Sequence, residues 1–123
     1  MKKDSFVTLY TPEGESLTGQ PWNIYPRPQM KRDSFFCLNG AWDFYANGGE
    51  KETIQVPFPP ESALSGIGRR LGKFPKMRYQ KTFTLPEGFV KDRVLLHFGA
   101  VDQTAEIQLN GKPVGIHEGG YNA

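Results

Sequence analysis

Hydrolysis by paired carboxylates needs two acid side chains roughly 5 to 10 Å apart, one of them held protonated by its surroundings. Thirteen acidic residues are available. Most fall in turns or on the polar side of alternating segments, where solvation is the default, and no pair stands out. No catalytic residue is therefore assigned within this chain. His97 and His117 lie in strand-like contexts with no Cys, His or Asp at ligand spacing beside them, so no metal site is expected. Gly66-Ile67-Gly68 lacks the preceding strand and following helix of a dinucleotide fingerprint. There is no Gly-x-Ser-x-Gly and no phosphate loop, so no cofactor is called for. The lone Cys37, inside Phe35-Phe36-Cys37-Leu38, reads as a small core hydrophobe rather than a nucleophile. What remains is aromatic and polar side chains in loops. Flat Trp and Tyr rings stack on the C–H faces of pyranoses while neighbouring polar groups bond the hydroxyls. Trp22, Tyr25 and Tyr121 lie outside the regular segments and are candidates for that role, whereas Trp42, alternating with Phe44, reads as core.

The elements that must carry these residues are strands. With 14 Gly and 10 Pro the chain has too many turn-formers for a helix bundle, and 13% aromatic residues are too many for a disordered chain. At 123 residues it is one domain in length. Residues 1–34, punctuated by Pro12, Gly14, Gly19, Pro21, Pro26 and Pro28, read as an extended, irregular arm, with a short strand within Phe6-Val7-Thr8-Leu9-Tyr10. Residues 35–123 read as a β-sandwich. Its expected strands run around Trp42 and Phe44, around Ile54 and Val56, from Tyr79 to Leu85, from Val94 to Phe98, from Ala105 to Leu109, and through Val114 and Ile116. Asn110-Gly111 is a hairpin signal, because both central residues of a type I′ turn need positive φ. Residues 58–77 have no periodicity, and a loop of that length is usually functional.

The net charge of +2 comes from 15 basic and 13 acidic residues with interleaved signs, which argues against a nucleic-acid partner. The densest basic cluster, Arg69-Arg70 with Lys73 and Lys76, reads as a solvated loop. Met1-Lys2-Lys3 is followed by Asp4 with no apolar stretch long enough for a signal sequence or a membrane span. No membrane partner is expected, and the localisation is expected to be cytoplasmic.

Several strings, in order along the chain, resemble the amino-terminal domain of family 2 glycoside hydrolases, the group of β-galactosidases, β-glucuronidases and β-mannosidases. They are Arg27-Pro28-Gln29 with Arg32 and Asp33; Leu38-Asn39-Gly40-Ala41-Trp42-Asp43-Phe44; Val56-Pro57-Phe58 with Pro60-Glu61-Ser62 and Leu64-Ser65-Gly66-Ile67; and Arg78-Tyr79 with Phe83 and Pro86. The fullest is the run from Leu96-His97-Phe98-Gly99-Ala100-Val101-Asp102 through Asn110-Gly111-Lys112 and Val114-Gly115 to His117-Glu118-Gly119-Gly120-Tyr121.

The resemblance implies an all-β jelly-roll sandwich of the galactose-binding-domain-like class, shortened at its C-terminal end, because the family's domains continue past the Gly-Gly-Tyr turn with further strands. It also implies a parent enzyme, β-galactosidase-like, that hydrolyses β-glycosides with retention through two glutamates of a separate (β/α)₈ barrel, the intramolecular partner of this domain. Asp102 is then the residue expected to contact the sugar, with Tyr121 as a second. Without its covering strands the chain is expected to self-associate or to be marginally stable. A free-standing carbohydrate-binding module is the alternative.

Overall fold

The computed structural model describes residues 8–18, 29 and 32–123. The fold is all-β: among the described residues there are five strands in two antiparallel sheets, with a helical turn at Pro12–Ser16 and a 3-10 turn at Ala63–Ser65. The chain divides into two compact units, residues 1–89 and 90–123.

In the first unit, β1 (Gly40–Ala46) is the centre of a sheet ordered β2-β1-β3, with β2 (Glu52–Val56) and β3 (Met77–Gln80) antiparallel on either side. Phe44 faces Glu52 on one side and Tyr79 on the other. Alternation along β1 and β2 turns one face inward, and Phe44 and Ile54 are wholly buried there. The Tyr79 ring meets Phe44 edge-on at 5.1 Å, and that contact carries the core across to β3. Trp42 is only half-buried. Its indole N–H donates to the Leu38 carbonyl at 2.7 Å, and Lys81 Nζ lies 5.8 Å from its ring centroid. A second cluster forms where Phe36 stacks on Phe83 at 5.9 Å and meets Phe89 edge-on. Cys37 is half-buried beside it in sequence.

The 1–34 segment lies mostly outside the described residues. Within it Pro12–Ser16 forms a single helical turn, α1, where the proline and glycine content pointed to irregular chain. The local reasons are a cap and a fixed φ. Thr11 Oγ1 accepts from the Gly14 N–H at 3.1 Å, and Pro12 occupies the first turn, where its missing donor costs nothing. Residues 8–10 form no strand, and Phe6 and Val7 lie outside the described residues.

The 58–77 loop has internal order. Ser62 caps the 3-10 turn Ala63–Ser65, and Gly66 ends it at φ 82, the left-handed region that glycine enters without strain. Ser65 is fully buried. Its hydroxyl lies 2.7 Å from the Ser62 carbonyl and 3.2 Å from that of Pro60, and accepts from the Ile67 N–H at 3.0 Å. Arg69 forks onto Glu52 with two contacts of 2.6 Å, tying the loop to β2.

The second unit is a hairpin of β4 (Thr104–Leu109) and β5 (Lys112–Glu118). Asn110 at φ 51 and Gly111 at φ 77 make the turn that the sequence calls for. The register shifts between Ile107 and Gln108, where Val114 is the extra residue opposite them, and Pro113 sits at that irregularity.

Two expected strands differ. Tyr79–Leu85 is ladder only as far as Gln80, because the Lys81 side chain turns back to donate to the Ala41 carbonyl at 2.9 Å, where the β1–β3 pairing would otherwise run on. Val94–Phe98 is not a strand: alternation supplies a face but not a partner, and among the described residues none pairs with it.

Candidate functional site

The β4–β5 hairpin fixes the position of the residues at its open end. Thr104 pairs with Glu118, so the next rung sets Gln103 against Gly119, where the Gly119 N–H donates to the Gln103 carbonyl at 2.7 Å. One residue further, Asp102 lies against Gly120. A Cβ built on Gly120 would stand 2.8 Å from Asp102 Oδ1 and 3.0 Å from its Cγ, well inside contact distance. The carboxylate of Asp102 is therefore packed on a bare glycine backbone, and only glycine admits it in this position.

Asp102, Gln103, Gly119, Gly120 and Tyr121 line one open pocket of about 390 Å³. The Tyr121 ring is 98% exposed, so its flat face is presented to solvent beside the carboxylate. The Asp102–Gln103 peptide is cis. A second pocket of the same unit is more apolar, lined by Leu96, His97, Phe98, Val101, His117, Asn122 and Ala123. His117 Nε2 lies 2.8 Å from the Gly119 carbonyl, and this contact braces the turn that carries Gly120 and Tyr121. Chemically the first pocket offers a hydrogen-bond acceptor, a side-chain amide and a stacking ring. That set suits a polyhydroxylated ring better than a reacting centre, since Asp102 is the one carboxylate among the residues lining it.

The two residues singled out in the sequence, Asp102 and Tyr121, are thus brought together. Trp22 and Tyr25 lie outside the described residues, as do Arg27 and Pro28 of the first resembling string. Trp42 belongs to the first unit, where its ring is occupied by Lys81 and its N–H by Leu38. Gln103, Gly119 and Gly120 were missed. Part of the signal was present: an Asn-Gly hairpin centred on residues 110 and 111 sets 102–103 opposite 118–119, and the extra residue Val114 shifts that pairing by one, to 119–120. Among the described residues no group of three or more His, Cys, Asp or Glu could hold a metal ion, and no helix is long and apolar enough to cross a membrane.

No protein-family model matches the chain. A β-glucuronidase from Felis catus is 29% identical over 80% of this chain and 18% of its own length. A β-glucuronidase from Paenibacillus borealis is 26% identical over 80% of this chain, again 18% of its own length. The chain thus spans about a fifth of the length of the curated relatives it matches. The two likenesses suggest a glycoside hydrolase family 2-like domain.

Proposed function

We propose that this chain is the amino-terminal, jelly-roll domain of a retaining family 2 glycosidase and that it contributes Asp102 and Tyr121 to sugar binding. The observation that carries the reading is the meeting of Asp102 and Tyr121 in one pocket, within a chain four-fifths of which resembles β-glucuronidases. The resembling proteins favour a β-glucuronide over a β-galactoside. In this reading the Asp102 carboxylate accepts hydrogen bonds from sugar hydroxyls and the Tyr121 ring covers a C–H face. The two catalytic glutamates and the barrel that bears them lie outside these residues. The chain by itself binds or positions substrate and does not hydrolyse it.

The test is hydrolysis of aryl β-glucuronide and aryl β-galactoside by the natural protein that contains this chain, alongside its Asp102→Ala variant. Turnover of the glucuronide, weakened by the substitution, supports the reading. Failure to turn over either substrate, with sugar binding retained by this chain alone, would instead make it a free-standing carbohydrate-binding module. Self-association is part of the proposal, since Val114 and Ile116 on β5 are exposed apolar side chains on a two-stranded sheet.

A further inference from the structure

Between Glu61 and Glu87 the chain has no acidic residue and six basic ones, Arg69, Arg70, Lys73, Lys76, Arg78 and Lys81. Half of them have local partners. Arg69 is forked on Glu52, the Arg78 guanidinium lies 5.6 Å from the Tyr45 ring centroid, and Lys81 is held by Trp42 and the Ala41 carbonyl. Arg70, Lys73 and Lys76 are exposed, and the ion pairs found among the described residues, Asp43–Lys51 and Glu52–Arg69, involve none of them. These three surround Phe74 in sequence, and the Phe74 side chain is 96% exposed.

The tip that carries Phe74 is held at both ends by one residue. Asn47, in the turn after β1, donates from its side-chain amide to the Leu71 carbonyl at 3.4 Å and accepts from the Lys76 N–H at 2.9 Å. Its own backbone N–H donates to the Lys76 carbonyl at 2.7 Å. Between these tethers Gly72 has φ 88 and Phe74 has φ 51. A bulky residue at positive φ is disfavoured, and a phenyl ring left in water forgoes the burial usual for its type. Both costs fall on one tip inside a cationic surround, and a tip already tethered loses little freedom when it binds.

We propose that the Phe74 tip is a binding site for a polyuronate chain, an anionic polysaccharide. The ring stacks on the C–H face of one sugar, and Arg70, Lys73 and Lys76 meet the carboxylates of its neighbours. A single ring among charges is the wrong size for a protein interface, which takes about 800 Å² from each partner, and the right size for one or two sugars. A nucleic acid also offers stacking faces and negative charge. The choice of a glycan over it rests on the glycosidase reading above; the geometry and charge of the tip do not.

The experiment is equilibrium binding of the full chain to polygalacturonate at about 0.1 M salt, with neutral dextran and a single-stranded oligonucleotide as comparators. Polygalacturonate is expected to bind and to weaken as salt rises, and dextran is expected not to bind. Phe74→Ala lowers the affinity at least tenfold and Phe74→Tyr restores it, while Lys73→Gln with Lys76→Gln flattens the salt dependence. Because Phe74 is exposed, the circular dichroism of these variants stays that of the parent. No binding to polygalacturonate, undiminished binding by Phe74→Ala, or tighter binding of the oligonucleotide overturns the proposal. Glycoside hydrolysis by the natural protein is read separately. Loss of the polygalacturonate result with hydrolysis intact removes the tip alone, and binding without hydrolysis removes the reading on which the choice of glycan rests.

Discussion

Gly120 shows how little room the Asp102 pocket leaves. Its φ is not in the left-handed region, so the backbone accepts alanine, yet the new methyl would meet the Asp102 carboxylate at 2.8 Å. Gly120→Ala is expected to displace Asp102 and to lower kcat/KM of the proposed glycosidase about as much as Asp102→Ala does, with the hairpin intact by amide chemical shifts. The loss of a hydrogen bond from a sugar hydroxyl to a carboxylate is worth on the order of 1 to 3 kcal/mol in kcat/KM. Asp102→Asn, which keeps an acceptor, falls between the unsubstituted protein and Asp102→Ala; an unchanged kcat/KM for Asp102→Ala removes the residue from the site. Away from the pocket, Ser65→Ala strips a fully buried hydroxyl and orphans the Ile67 N–H, so thermal denaturation should show a loss of about 1 to 3 kcal/mol. Asp102 was legible only through the resemblance, since one aspartate carries no spacing signal, whereas Tyr121 was already a candidate as an aromatic outside the regular segments. Ser65, a polar residue in a proline-flanked loop, gives no sign in sequence of being fully buried.

Among the elements, β1, β2, β4 and β5 were legible because each alternates apolar and polar residues, and two of them flank a turn signal, Asn110-Gly111 between β4 and β5. Val94–Phe98 has the same alternation and fails as a strand, which shows that period two reports a face while pairing depends on a neighbour far off in sequence. The core that pairing creates is small. Ile54→Ala, at a fully buried site on β2 opposite Trp42, is expected to cost about 2 to 5 kcal/mol, and Ile54→Val about 0.5 to 1.5, by urea denaturation. The 58–77 loop is tied to β2 electrostatically as well. Hydrogen bonding to Arg69 holds the Glu52 carboxyl below its ordinary value. A lowered carboxyl contributes its stabilisation above the unfolded-state value and loses it as pH falls through the folded one. Acidification below the ordinary carboxylate range should therefore lower hydrogen-exchange protection, taken relative to the intrinsic rate at each pH, at Arg69 and its neighbours before the β1–β2 ladder opens. Equal exchange at both places would detach the loop from that ion pair.

Across the whole molecule, composition alone carried the all-β class, since Gly and Pro forbid long helices and the aromatic content supplies buried surface. It did not carry the division at residue 89, which depends on where contacts concentrate rather than on residue type. The two units differ in what protects them: the first has a three-stranded sheet with a buried Phe44 and Ile54, the second a two-stranded hairpin with Ile116 76% exposed. A lone hairpin is marginally stable in water. Amides of β4 and β5 are accordingly expected to exchange faster than those of β1, and Ile116→Lys should reduce any association seen by light scattering; slower exchange in the hairpin would mean that its exposed face is covered in solution. The Asn47 clasp carries a consequence of another kind. Gly48 follows it, and a glycine shields an asparagine amide from its own backbone less than any other residue. Hydrolysis of that amide, in which water supplies the new oxygen and ammonia leaves, would replace the donor to Leu71 with a carboxylate and set two oxygens against each other. The presented tip thus has a chemical age as well as a shape, and old protein would hold Phe74 less firmly than new.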